Sequence, residues 1–250
     1  MAIKAHGGET SLPYKIIIAL AFFLAVMTGW LFGRLDENHR IADAISGTPL
    51  PTAPVPARSK DCLIWFIGSS SIANWRSMAE DMAPWEARNR GIGGATMSEI
   101  TDRLIAEPPG MPPAGIVYYA GENDLAFKRD VDSAFRDFER FVAAKRARYG
   151  ATQMLVLSLK ASPTRWRDLG LQQDFNRRIK AFAARQSDLV YLDLASQLMA
   201  DGRPGPYFTD DGIHLNKAGY QIWSASIGKV LPEVLAHHGE RCKASASDVS

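Results

Sequence analysis

The stretch LIWFIGSSSIANW, Leu63 to Trp75, runs five apolar residues into a glycine and then three serines. Five successive apolar residues leave no polar face, the pattern of a strand covered on both sides within a parallel sheet. Gly68 permits a sharp turn, and the segment behind it can open a helix, so Ser69, Ser70 and Ser71 fall at the carboxyl edge of the sheet, where open α/β folds take their ligands. Serine is also among the best helix N-caps, and on this stretch alone a cap is the simpler reading.

Downstream the pattern repeats. Glu86–Asn89, Ile116–Tyr119, Met154–Leu159 and Leu189–Leu192 have strand length, and helical periodicity fills the spaces between them. In 131–148, Phe135, Phe138, Phe141 and Val142 recur at helical spacing, with Gly150 where a C-cap is wanted. Segments 171–185 and 217–235 behave alike, the latter with Ile222, Trp223, Ile227, Val230, Leu231 and Val234 on one face. Five strand–helix units predict an α/β three-layer sandwich around a five-stranded parallel sheet.

A nucleophilic serine needs a base, and the chain has five histidines. His6 and His39 flank an apolar N-terminal stretch and His237 with His238 closes the last helix, which leaves His214, in FTDDGIHLNKAGY between the fifth strand and the last helix. Asp211, three residues earlier, is in reach through a tight turn to hold the imidazole in the tautomer that accepts a proton. Two more loops belong to the same edge. NRGIGGA, Asn89–Ala95, has glycines that let backbone N–H groups approach a ligand, and AGENDL, Ala120–Leu125, offers the amide of Asn123. Neither matches a nucleotide-binding fingerprint.

In order along the chain, FIGSSSIANW, NRGIGGA, GENDL and DGIHLN resemble the four sequence blocks of the SGNH hydrolases, the GDSL lipase and esterase family, over residues 62–238. The resemblance implies a flavodoxin-like fold and Ser70 as nucleophile, with Ser69 standing where the family name has aspartate. It implies an oxyanion hole formed by the Ser70 N–H, a backbone N–H of Gly94 and the Asn123 side chain, and Asp211 with His214 as the D-x-x-H pair. The expected chemistry is hydrolysis of acyl or acetyl esters through an acyl-enzyme, the alternative being an anchored carbohydrate-binding or scaffolding module without turnover. Trp75, Trp166, Tyr207 and Phe208 are candidates for walls of the substrate site, and Arg165 and Arg167 for contacts to an anionic or sugar substrate. No Cys or His pair has zinc spacing, and no cofactor is expected.

The remaining segments set the context. A net charge of +2 over 29 basic and 27 acidic residues gives no basic stripe for nucleic acid. Ile16–Gly33 carries no charge and is just long enough to cross a bilayer core, so residues 15–34 read as one transmembrane helix after a short segment 1–14, with a Pro-rich tether over 35–60, the catalytic domain over 61–240 and a tail over 241–250. The ester substrate is then a lipid, an acetylated glycan or a small ester, met by a single-pass protein of the cytoplasmic membrane with its domain on the extracytoplasmic, periplasmic side. Cys62 opens the first strand and Cys242 follows the last helix. In a parallel sheet both belong at the edge opposite the active site, where an oxidising compartment would join them.

Overall fold

The computed structural model describes residues 16–17, 23–24, 27–28, 48–51, 61–108, 110, 112–127, 130–236 and 242. The expected transmembrane span 15–34 lies outside the described residues except for three residue pairs. Among the described residues no helix is long and apolar enough to cross a membrane.

Five strands, β1 (Leu63–Gly68), β2 (Glu86–Gly91), β3 (Gly115–Tyr119), β4 (Gln153–Leu157) and β5 (Leu189–Leu192), form one sheet in the order β2-β1-β3-β4-β5. Every pairing is parallel. This is the flavodoxin-like order, whose switch point lies between β1 and β3. The central strand β3, GIVYY, is buried along its whole length, whereas the edge strand β2, EARNRG, is mostly half-buried and carries the polar residues that an edge permits.

The helices that follow are α1 (Ser70–Ala73), α2 (Met78–Asp81), α3 (Met97–Ile105), α4 (Glu122–Ala126), α5 (Val131–Tyr149), α6 (Leu169–Ala183) and α7 (Lys217–Val234). Successive strand residues point to opposite faces. Tyr118 packs on Phe138 and Phe141 of α5 while its neighbour Tyr119 packs on Trp223 of α7, so these two helices cover opposite faces and the sandwich has three layers. Gly150 ends α5 with φ +60 and donates its N–H to Arg146 O.

Residues 48–51, within the stretch read as tether, are packed against the domain. Leu50 is buried, its N–H donates to Glu107 Oε1 at 2.8 Å, and the Arg90 guanidinium donates to Pro51 O and Leu50 O while pairing with Glu107 at 2.7 Å.

Candidate active site

Gly68 ends β1 where the chain passes so close to β3 that a Cβ would lie 2.1 Å from Tyr119 O. Backbone bonds then build the serine turn. Ser69 N–H donates to Tyr119 O at 3.0 Å, and Ser69 O accepts from the Ile72 and Ala73 amides. Ser69 occupies the N-cap position of α1, but its side chain makes no capping bond. The aspartate suggested by the family name is therefore not needed to shape this turn. Ser69 and Ser71 are 2% and 1% exposed, which leaves Ser70 as the serine whose side chain can meet a substrate.

The Ser70 hydroxyl lies 2.8 Å from His214 Nε2, and His214 Nδ1 lies 2.6 Å from Asp211 Oδ2. With the carboxylate accepting from Nδ1–H, Nε2 is left as the acceptor for the serine proton. Partial burial works to raise the Asp211 carboxyl, but hydrogen bonds from the His214 ring, the His214 and Ile213 amides and the Thr209 hydroxyl outweigh it and hold the group well below the usual carboxylate range. Asp211 is thus ionised at neutral pH. The loop itself is closed by Thr209 N–H to His214 O at 2.8 Å, by the Phe208–Leu215 bridge, and by Asn216, which caps α7 and donates its amide to Pro206 O and Phe208 O.

Asn123 follows β3, so it stands across the switch point from Ser70. The residue is 4% exposed, and its side chain donates one amide hydrogen to Ala95 O at 3.0 Å, which ties it to the residue after Gly94 and leaves the second hydrogen for a ligand. Gly94 sits in the β2–α3 loop with φ +73, exposed, and with nothing within 4 Å of where a Cβ would be. The Ser70 N–H is a first-turn amide of α1, free of intrahelical bonding by its position. The loops after β2 and β3 are thereby joined to each other at the carboxyl edge of the sheet, where the Ser70 turn also lies.

Three supporting contacts lie outside what the sequence implies for this site, although Asn89 belongs to a named block and Arg165 is a candidate substrate contact. Arg165 Nη2 donates to Asn123 Oδ1 at 2.8 Å, so the guanidinium fixes which way the amide faces. Asn89 of the NRG block donates to Ile72 O at 2.7 Å and accepts from Gly91 N–H, bracing α1 from the neighbouring strand. Beneath the serines, Lys160 is fully buried and its ammonium contacts Ser71 Oγ at 3.0 Å, Tyr119 Oη at 3.2 Å and Glu122 Oε2 at 2.5 Å. Burial pushes the Lys160 ammonium down against the pull of Glu122, and burial together with the Glu122 charge pushes the Tyr119 phenol well up. Nothing in the local sequence marks these partners, because each lies on a different strand–loop unit. The 160s loop is also stitched to the histidine loop, Thr164 donating its N–H to Gly212 O at 3.0 Å and its hydroxyl to Asp211 O at 2.7 Å.

Trp75 is not a wall of the site. It is 1% exposed, stacks on Tyr220 with centroids 5.2 Å apart, meets Phe66 and Trp223 edge-on, and donates its indole N–H to Asp81 at 2.7 Å. The aromatic face of α7 takes it into the core. Trp166 is half-buried in a 3₁₀ turn next to Arg165, and Phe208 is half-buried against the core at the base of the histidine loop. Arg167 is exposed, with Asp168 as its ion-pair partner at 3.8 Å. Among the described residues no group of acidic, cysteine or histidine side chains could hold a metal ion.

The sequence model of the GDSL-like lipase/acylhydrolase family matches residues 65–222, more than half of the chain and all four loops just described. The chain belongs to this family. Solved structures share its fold. A GDSL-like lipase from Bacteroides thetaiotaomicron superposes with a TM-score of 0.57 at 21% identity, covering 78% of this chain and 97% of its own. A member of the lipolytic G-D-S-L family from Veillonella parvula gives 0.57 at 15% identity, with 67% and 96% covered. A carbohydrate esterase family 3 protein from Talaromyces cellulolyticus gives 0.55 at 17% identity, with 70% and 98% covered. No curated protein sequence matches the chain. The protein is an SGNH-type hydrolase of the acylhydrolase and esterase class.

Proposed function

We propose that the chain hydrolyses carboxylic esters, acyl or acetyl, with Ser70 as nucleophile, His214 as general base and acid, and Asp211 as the group that orients and charges the imidazole. The observation that carries this reading is the unbroken path from the Ser70 hydroxyl through His214 to Asp211, with spacings of 2.8 and 2.6 Å. Ser70 Oγ attacks the ester carbonyl carbon as its proton passes to Nε2. The oxyanion forms opposite the Ser70 and Gly94 amides and the second hydrogen of Asn123. Collapse breaks the bond to the alcohol, which takes the proton from His214, and water attacking the acyl-serine by the same route releases the acid.

Arg165 acts in this scheme through Asn123. Its bond to the amide oxygen aims the amide nitrogen at the oxyanion and polarises it. The reading extends to compartment. The Cys62–Cys242 bond supports an extracytoplasmic domain, since structural disulfides persist where thiols are not kept reduced, and segment 15–34 would be its membrane anchor. The test of the chemistry is turnover of p-nitrophenyl acetate by the purified protein. The proposal expects an acetyl adduct on the peptide carrying Ser70, and absence of both turnover and adduct would support the silent-module alternative.

A further inference from the structure

Three consecutive residues of α4, Glu122, Asn123 and Asp124, are polar and buried. A helix of five residues is too short to hold itself, so these side chains decide where it sits. Asp124 accepts the Met97 amide, at the start of α3, at 3.2 and 3.3 Å, and Asn123 donates to Ala95 O at 3.0 Å. Glu122 Oε2 accepts from the Tyr119 hydroxyl and from the Lys160 ammonium, both at 2.5 Å. Two of the groups that grip α4 come from one loop, residues 160–165, beyond β4. Lys160 holds Glu122 from one end of it, and Arg165 holds Asn123 Oδ1 at 2.8 Å from the other.

The same loop reaches the histidine side of the site. Thr164 donates its N–H to Gly212 O and its hydroxyl to Asp211 O, and the two loops run so close that a Cβ on Gly212 would lie 2.6 Å from Thr164 Oγ1. The shape of loop 160–165 is set locally, by the fixed φ of Pro163 and by a turn in which Arg165 N–H donates to Ser162 O at 3.2 Å. These six residues therefore join the helix that carries the Asn123 amide to the loop that carries Asp211 and His214.

Lys160 is not the base of a second nucleophile. Ser71 Oγ lies 3.0 Å from its ammonium but Ser71 is 1% exposed, and the three ammonium hydrogens meet three acceptors, Ser71 Oγ, Tyr119 Oη and Glu122 Oε2. A buried ion pair of this kind seldom stabilises a fold more than apolar residues of the same volume would, and fixing one arrangement of its neighbours is a better-attested use. We propose that residues 160–165 are a positioning strut for ester hydrolysis, anchored by Lys160 on Glu122, that fixes the oxyanion donor Asn123 against the Asp211–His214 loop. This rests on the esterase reading and adds to it the residues that hold its two halves in register. Proton transfer to His214 and stabilisation of the oxyanion belong to one transition state, and a misplacement of about 1 Å between such groups can cost about a hundredfold in rate.

The test pairs p-nitrophenyl acetate kinetics with calorimetric titration by phenylboronic acid. Ser70 Oγ adds to boron as its proton passes to His214, which leaves a tetrahedral anion that mimics the transition state. Lys160→Met is combined with Glu122→Gln, so that neither charge is left buried alone. In this double variant kcat should fall by about tenfold or more with KM little changed, and boronate affinity should fall by the same factor at unchanged stoichiometry. Loss of folded protein would lower the stoichiometry instead. In an Asn123→Ala background the same two substitutions should change little further, because the strut works through that amide. Thr164→Val, at an exposed position the fold tolerates, loosens the other end and should lower kcat by about threefold. The strut is overturned if the double variant keeps wild-type kcat and boronate affinity, if only its stoichiometry falls, if its losses add to those of Asn123→Ala, or if Thr164→Val turns over as fast as wild type. A wild-type protein that neither hydrolyses p-nitrophenyl acetate nor binds the boronate would remove the esterase reading itself, and the strut with it.

Discussion

Each edge of the sheet buries a lysine completely, and the two are put to different uses. At the carboxyl edge Lys160 joins Glu122, Tyr119 and Ser71, the neighbour of the proposed nucleophile, and so ties together the units built on β1, β3 and β4. At the amino edge Lys145 donates to Asp188 at 2.7 Å and to Thr152 O, and Arg146 grips the same carboxylate. There the disulfide between Cys62 and Cys242 joins points 180 residues apart. The first cluster braces the turn that carries Ser70; the second closes the chain on itself. Substitutions at the carboxyl edge should therefore cost rate with little loss of stability, and those at the amino edge the reverse.

Breaking the disulfide should have the largest effect. Reduction, or the pair Cys62→Ala and Cys242→Ala, should lower stability by up to about 5 kcal/mol in the chain-entropy model, with the ester-hydrolysis rate of the folded fraction unchanged. Equal denaturation midpoints with and without reductant would contradict this.

Asp188→Asn should cost about 3–5 kcal/mol by stranding a buried ammonium. Hydrogen bonds from Arg146 hold the Asp188 carboxyl well below its ordinary value, against the opposing effect of burial, with Lys145 adding to them. A carboxyl depressed on folding contributes stability that is complete above its unfolded value of about 3.9 and is lost as the pH falls from there through the folded value. Melting temperatures followed from pH 7 downward should show wild type and variant far apart at neutrality and converging below about pH 4. A constant gap would remove the ion pair from the account.

At the other edge, Asn123→Ala should lower kcat by roughly a hundred- to a thousandfold, about 3–4 kcal/mol of barrier, with a normal melting curve. Arg165→Ala should lower it less, by about tenfold, with KM for a neutral ester little changed. If Arg165 works through the amide, the double variant should be no slower than Asn123→Ala alone. Additive losses would give Arg165 an independent role.

The fold was legible because four of its five strands carry short apolar runs, and the proposed triad was nameable because only one histidine follows a strand at the right edge with an acid three residues before it. The buried charges were not. Lys160 and Lys145 sit in stretches that read as surface, and their partners Glu122 and Asp188 lie 38 and 43 residues away. Trp75 misled for the same reason. Its neighbours in sequence are polar, while the stacking face that claims it, Tyr220 and Trp223, belongs to the last helix. Leu50 looked like tether because nothing local announces Arg90 and Glu107 as its anchors.

The central claim is that one hydroxyl among three adjacent serines does the chemistry. The most direct test is p-nitrophenyl acetate hydrolysis by Ser69→Ala, Ser70→Ala and Ser71→Ala, side by side and each shown to be folded. Ser70→Ala should fall by at least about 10⁴-fold, to the background left by binding and the oxyanion donors, while Ser69→Ala and Ser71→Ala keep most of the activity. An active Ser70→Ala protein, or a Ser69→Ala protein as inactive as that one is expected to be, would contradict the account.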